Sequence, residues 1–177
     1  LVHKLLVNGE IKYVHERCKT EYAHDGRPIR SIGTVHDITD EYELASRIDY
    51  LVNHDSLTNL PNRFLITQRL EQLLHQYKRD SKWHLAVCFI DLDNFKTVND
   101  TLGHRYGDKV LCSVAECFRQ ALRTSDIIGR VGGDEFVAFL SGVTSLDEAR
   151  ECAGRLCQAV SRIPDLELKG CGLSCSI

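Results

Sequence analysis

Two acidic stretches of the sequence have the residue types and the placement to bind a cation. Asp134 and Glu135 follow a glycine pair in GRVGGDEFVAFL, and Asp91 ends a short apolar run in HLAVCFID. The β-prone residues flanking Gly132 and Gly133 predict a strand, a tight turn and a second strand. If these strands are neighbours in one sheet, the carboxylates converge and repel one another unless a cation lies between them. Hard oxygen ligands suit Mg²⁺ or Mn²⁺, which also take phosphate oxygens.

Other residues near these stretches could assist a phosphorylated ligand. Lys96 adds a positive charge close behind Asp91. Asp108, in TLGHRYGDKV, lies just ahead of or at a predicted helix start, where a carboxylate either accepts a hydrogen bond from a ligand or caps the helix. Each residue alone has a simpler interpretation as a solvated strand end, a turn or a cap. Their combination favours a metal site beside a bound phosphate.

The elements that must position these residues follow from the apolar pattern after residue 54. The run that ends in Asp91 predicts a buried strand, and YGDKVLCSVAECFRQAL predicts an amphipathic helix. Ser145, with Glu148 three residues later, has capping-box spacing at the start of another helix. Strands that alternate with helices predict an α/β fold with a central mixed sheet flanked by helices.

The first 53 residues have a different organisation. Residues 1–40 alternate apolar and polar side chains around the turn signals NGE and HDGRP, which predicts three antiparallel strands. The period then becomes helical, and residues 41–53 predict an amphipathic linker helix. A helix packed on its own domain and a short parallel coiled coil both remain open. The apolar face of this helix comprises Leu44, Ile48, Leu51 and Val52.

Composition limits the classes of protein that the chain can represent. The formal net charge is −3 and 43% of residues are hydrophobic, which argues against disorder and gives no general attraction to nucleic acid. No apolar run approaches the roughly 18 residues of a membrane span. Eight cysteines without a Cys-x-x-Cys pair predict reduced, structural thiols. Because the chain contains no methionine, we expect it to be an excerpt of a longer protein.

Four motifs identify a family resemblance. DSLTNLPNR, DLDNFKTVND, GHRYGD and GGDEF occur in this order, and together they resemble the GGDEF family of diguanylate cyclases. The resemblance runs from about His54 to Ile177. It implies a fold like the palm of nucleotidyl cyclases and condensation of two GTP into cyclic di-GMP with release of two pyrophosphates. It also implies a homodimer in which each subunit holds one GTP.

A looser resemblance covers the start of the chain. The three predicted strands and the stretch GTVHDITD resemble the final strands of a PAS sensor domain. The expected domains are therefore residues 1–40 as the end of a PAS domain, 41–53 as a linker helix, and 54–177 as a GGDEF domain truncated at its C-terminus.

The GGDEF resemblance also implies the metal and catalytic residues. Asp91, Asp134 and the backbone carbonyl of Leu92 would bind two Mg²⁺ or Mn²⁺ ions per active site. Glu135 would support the second metal or the incoming hydroxyl, and Asp134 is the candidate base for the 3′-hydroxyl. Lys96 would counter the charge of the phosphates. The implied mechanism is in-line attack of the 3′-oxygen on an α-phosphate.

Further positions are assigned to the nucleotides by the same resemblance. Phe95 and Lys96 would form a turn that cradles the phosphates, and Asn99 and Asp108 would recognise guanine. The glycines at 132 and 133 would let the substrate approach the backbone. Upstream, RTSD resembles the family's RxxD inhibitory site, in which Arg123 and Asp126, with a contribution from Arg130, would bind cyclic di-GMP. The alternative for the RxxD pattern is a surface ion pair at a helix end.

Three functional hypotheses remain at this stage. The first is a sensor-regulated, product-inhibited diguanylate cyclase. The second is a non-catalytic GGDEF module that binds GTP or cyclic di-GMP and regulates a neighbour such as an EAL phosphodiesterase domain. The third is an interaction module that dimerises without turnover. We expect a cytoplasmic location and no membrane segment in this excerpt, although the parent protein could be attached to a membrane elsewhere.

Overall fold

The computed structural model describes residues 1–77, 84–163 and 171–177. The chain divides into two compact units, 1–50 and 51–177. All eight cysteines are free thiols. Among the described residues, no helix is both long enough and apolar enough to cross a membrane.

The first unit is built on a three-stranded antiparallel sheet. Its strands are β1 (Val2–Val7), β2 (Glu10–Tyr22) and β3 (Pro28–Asp37), in the order β1-β2-β3. Asn8 and Gly9 join β1 to β2 with φ angles of 53° and 87°, the left-handed pair that a tight hairpin turn requires. The three strands predicted from the sequence are therefore confirmed.

Helix α1 (Thr39–Asn53) follows this sheet, as the sequence predicts. Thr39 fixes its start, because its amide donates to Asp37 Oδ1 (3.0 Å) and its hydroxyl accepts from the Tyr13 amide (3.0 Å). The apolar residues Leu44, Ile48, Leu51 and Val52 are all exposed in the single chain.

The second unit contains a four-stranded sheet in the order β5-β6-β4-β7. The strands are β4 (His84–Asp93), β5 (Ile127–Gly132), β6 (Glu135–Val143) and β7 (Ser174–Ser176). The predicted α/β class is confirmed, but the expected mixed pairing is not seen, since every described pair is antiparallel. β4 and β5 do run in the same direction, as a strand–helix–strand crossover requires. The returning strand of the β5–β6 hairpin lies between them.

The main core lies between one face of this sheet and two helices, α4 (His104–Ala121) and α5 (Leu146–Ser161). Helix α3 (Phe95–Leu102) directly follows β4. The Ser145 hydroxyl accepts from the Glu148 amide (3.2 Å), which confirms the predicted cap of α5. The largest fully buried side chains of this core include Phe118, Phe136, Ile90, Leu92, Val114 and Leu156.

Helix α2 (Arg63–Tyr77) packs against the sheet of the second unit through a smaller apolar cluster. Ile66 of α2 is buried with Val137 and Phe139 of β6. Gly129 on β5 makes this approach possible, because a Cβ there would overlap the Ile66 side chain and lie 2.7 Å from the Pro61 carbonyl oxygen.

Candidate functional site

Asp91 and Glu135 lie directly opposite each other on neighbouring strands. Asp91 is close to the end of β4, Glu135 begins β6, and the two residues are partners in the antiparallel register. Alternation along β4 buries Ile90 and Leu92 in the core and leaves Asp91 exposed on the other face. Like charges directly opposite each other in a sheet are destabilising. The sequence expectation that these two acidic stretches converge is therefore met by the strand pairing.

The turn between β5 and β6 holds Asp134 beside this pair. Gly133 has φ 51°, a left-handed conformation that costs a residue with a Cβ about 1–2 kcal/mol. The Arg130 guanidinium fixes the turn, because Nε and Nη2 both donate to the Gly133 carbonyl oxygen (3.0 and 2.7 Å). Asp134 is partly buried, whereas Glu135 is exposed.

Arg130 also ties the turn to the loop between α1 and α2. Its Nη1 forms an ion pair with Asp55 Oδ1 at 2.9 Å, and the two side chains are only 11% and 24% exposed. Burial raises the pKa of Asp55, but hydrogen bonds from the Thr58 hydroxyl and amide, together with Arg130, lower that pKa below its ordinary value. The described side-chain bonds of Arg130 thus go to the Gly133 carbonyl and to Asp55, and not to Arg123 or Asp126, with which the family resemblance grouped it.

A cavity of about 280 Å³ opens on the face of the sheet that carries Asp91 and Glu135. Besides these two acids it is lined by Arg63, Phe89, Ile90, Val131 and Phe136. The cavity therefore combines two carboxylates, one arginine and an apolar wall.

The donor set fits a divalent cation shared with a ligand. The described part of the chain contains no cluster of three or more His, Cys, Asp or Glu that could hold a metal ion by itself. Asp91, Glu135 and the Leu92 carbonyl would leave coordination positions for water and phosphate oxygens, which is how Mg²⁺ is usually bound. A cation between the opposed carboxylates would also remove their repulsion.

The residues assigned to phosphates and guanine lie on α3 and α4. Asn94, with φ 62°, forms the turn after β4, so Phe95 and Lys96 are the first residues of α3 and not the turn itself. Phe95 is buried and Lys96 is exposed.

Asn99 and Asp108 are brought near each other by a close helix contact. A Cβ on Gly107 would overlap Asn99 Oδ1, so the amide of Asn99 lies against the residue that precedes Asp108. Because α4 begins at His104, Asp108 is inside the helix and does not cap it. Its exposed carboxylate is therefore available to a ligand.

Arg123 and Asp126 are close but are engaged by other groups. Asp126 accepts from the Arg123 amide (3.0 Å) and from the Ser141 amide (3.1 Å). The Arg123 guanidinium pairs with Glu148 Oε1 at 3.1 Å. Hydrogen bonds from the backbone and hydroxyl of Thr144, with Arg123, lower the pKa of Glu148. The cavity around these residues holds only about 10 Å³.

Several contacts at the site were not foreseen from the sequence. Asp55 begins the motif DSLTNLPNR, but its bond to Arg130 could not be predicted because the two residues are 75 positions apart. Ser174 and Ser176 of β7 donate to Asp93 (2.7 and 2.8 Å) and lower its pKa. The alternation of serines in the last strand was the available signal for this contact.

Comparison with known proteins gives the family. Residues 52–177 match the model described as diguanylate cyclase, GGDEF domain. MucR of Pseudomonas aeruginosa, a bifunctional diguanylate cyclase/cyclic di-GMP phosphodiesterase, is 50% identical over 99 residues, which are 56% of this chain and 14% of MucR. The chain spans between 12% and 26% of the first curated relatives it matches.

Solved structures are similar in the same region. The GGDEF domain of TpbB from Pseudomonas aeruginosa has 43% identity and a TM-score of 0.57, covering 60% of this chain and 61% of that one. A microbial GGDEF domain solved in a study of its interaction with cyclic di-GMP has 31% identity and a TM-score of 0.59, covering 70% of this chain and 74% of that one. The chain therefore belongs to the GGDEF, or diguanylate cyclase, family.

Proposed function

We propose that this chain is the catalytic part of a diguanylate cyclase that condenses two GTP into cyclic di-GMP and releases two pyrophosphates. The observation that carries the proposal is the opposition of Asp91 and Glu135 at the edge of a cavity, beside the Gly133–Asp134 turn. Family membership gives the reaction class.

Each residue has a definite task in this proposal. Asp91, Glu135, Asp134 and the Leu92 carbonyl would hold two Mg²⁺ or Mn²⁺ ions, which neutralise phosphate charge and make the attacking hydroxyl more acidic. Asp134 accepts the proton of the 3′-hydroxyl, and Lys96 compensates charge on the phosphates. Gly132 and Gly133 let the nucleotide approach the backbone, and the Arg130 bonds to Gly133 hold the turn before substrate arrives.

Guanine recognition is assigned to Asn99 and Asp108. An amide offers a donor and an acceptor, and a carboxylate accepts from the N–H groups of guanine. Phe95, buried at the start of α3, supports the turn that would hold the phosphates of the same ligand. The contact of Asn99 with Gly107 keeps the two guanine-binding candidates together.

Control of the activity is proposed at two places. The exposed apolar stripe of α1 would pair with a second copy, because a homodimer brings two GTP molecules together. Residues 1–40 would be the last strands of a PAS sensor that acts through α1, with 54–177 as the GGDEF domain. Arg123 and Asp126 would bind the product cyclic di-GMP as an inhibitor, while Arg130 is committed to the turn at Gly133.

The test is product formation from GTP and Mg²⁺, resolved by chromatography. We expect cyclic di-GMP and pyrophosphate from the wild type, a loss of at least a hundredfold in Asp134→Ala, and no loss in the surface control Asp147→Ala. Saturable GTP binding without product would instead favour a non-catalytic module that regulates an adjacent domain. Dimerisation without nucleotide binding would favour the interaction module.

A further inference from the structure

Arg63 lines the cavity of the candidate site, although it is not among the residues assigned to the metal ions, the phosphates or guanine. It is the first residue of α2, and its side chain is exposed. Among the described residues that line the cavity with Asp91 and Glu135, Arg63 alone carries a positive charge. Lys96, the residue assigned to the phosphate charge from sequence, is not among those residues.

The Arg63 guanidinium makes no ion pair or side-chain hydrogen bond with any residue that the structure describes. By contrast, Arg130 pairs with Asp55 and Arg123 pairs with Glu148. An arginine that lines the same cavity as two carboxylates, yet forms no ion pair with them, leaves its charge available to a ligand. Such a cavity suits a ligand that carries anionic oxygens toward the arginine and metal-bound oxygens toward the acids.

The backbone that carries Arg63 is held firmly, although its side chain is exposed. Asn62 Oδ1 accepts from the Leu65 amide (3.1 Å), and Asn62 Nδ2 donates to the Val52 carbonyl (2.7 Å). The Arg130 amide donates to the Pro61 carbonyl at 2.9 Å. These bonds fix the start of α2 against β5, so the position of Arg63 relative to the acidic pair is set before a ligand binds.

We propose that Arg63 binds phosphate oxygens of the nucleotide substrate in this cavity, opposite the carboxylate pair. This inference rests on the proposed cyclase function and adds a phosphate-binding residue to it. A guanidinium presents parallel N–H donors that match two phosphate oxygens and keeps its charge at every working pH. Arg63 therefore compensates negative charge of the triphosphate, which the anionic side chains of the same cavity cannot do.

The test compares two ligands that differ in phosphate. One is a GTP analogue with a methylene group between the α- and β-phosphorus atoms, which cannot release pyrophosphate, and the other is guanosine. Both are titrated by calorimetry, with Mg²⁺, into the 177-residue chain and its variants. Arg63→Ala is expected to weaken the analogue roughly tenfold to a hundredfold and to leave guanosine unchanged. Arg63→Lys should recover part of the loss, since it keeps the charge but not the paired donors.

Arg69→Ala is the matched control, because Arg69 is an exposed arginine on the same helix whose described side-chain bond is to Gln72. It should bind both ligands as the wild type does. Equal affinity of Arg63→Ala and wild type for the analogue would overturn the inference, and so would equal weakening of the analogue and guanosine. A wild type that binds neither ligand would overturn the cyclase proposal itself, and the Arg63 inference with it.

Discussion

Removal of the Arg130 side chain should lower the unfolding free energy of the second unit. Arg130→Ala deletes the 2.9 Å ion pair with Asp55 and two hydrogen bonds to the Gly133 carbonyl. Breaking a fully buried ion pair by removing one partner costs about 3–5 kcal/mol, but this pair is only partly buried and Asp55 keeps two bonds from Thr58, and both facts reduce the penalty. We therefore expect a loss of about 3 kcal/mol, or a fall of about 10 °C in the Tm of this unit.

The assay is urea denaturation followed by circular dichroism, with a separate transition fitted for each unit. Arg119→Ala is the control, since Arg119 reaches the same loop through the Asn59 carbonyl (2.7 Å) but its side chain is 41% exposed. That variant should lose less than about 1 kcal/mol. Equal losses in the two variants would refute the claim that the Asp55–Arg130–Gly133 connection, and not mere contact with the loop, stabilises the unit.

Three further predictions follow from local geometry. Gly133→Ala should lose about 1–2 kcal/mol of unfolding free energy in urea because of its left-handed φ, whereas Gly154→Ala inside α5 should gain up to about 1 kcal/mol. Glu148→Gln should tighten cyclic di-GMP binding in calorimetry, because it releases Arg123; unchanged affinity would argue against this site. The difference in unfolding free energy between wild type and Asp55→Asn should be constant above about pH 4 and shrink at lower pH. The reason is that the folded state lowers the pKa of Asp55 by favouring its ionised form, and this advantage is lost when the carboxylate is protonated. A difference that grows on acidification would contradict this.

The acidic pair could be anticipated from the sequence, because strand ends and turns have strong local signals. The glycines at 132 and 133 and the apolar run before Asp91 each define a strand end within a few residues. One further assumption, that the two strands are neighbours, brings Asp91 close to Asp134 and Glu135, and the register of the sheet then pairs Asp91 with Glu135. Local pattern therefore carries most of the information about this part of the site.

Contacts between distant segments could not be anticipated in the same way. The strand pairs of the second sheet are antiparallel because β6 lies between β4 and β5. This strand order results from tertiary packing, and the sequence of a single strand does not determine it. Arg123 has the spacing of a ligand-binding arginine, but its guanidinium is paired with Glu148, 25 positions away. Such pairings depend on tertiary geometry and leave no periodic signal in the chain.

The loop between α1 and α2 has almost no regular secondary structure, yet it is bonded like a core segment. Leu60 and Thr58 are buried, and the loop's carbonyls accept from Cys112 and Arg119 of α4 and from the Arg130 amide of β5. Its amides should therefore exchange with solvent only when the whole second unit opens, at rates typical of a core helix and not of a surface loop. Such a segment should therefore unfold together with the second unit and not separately as a flexible loop.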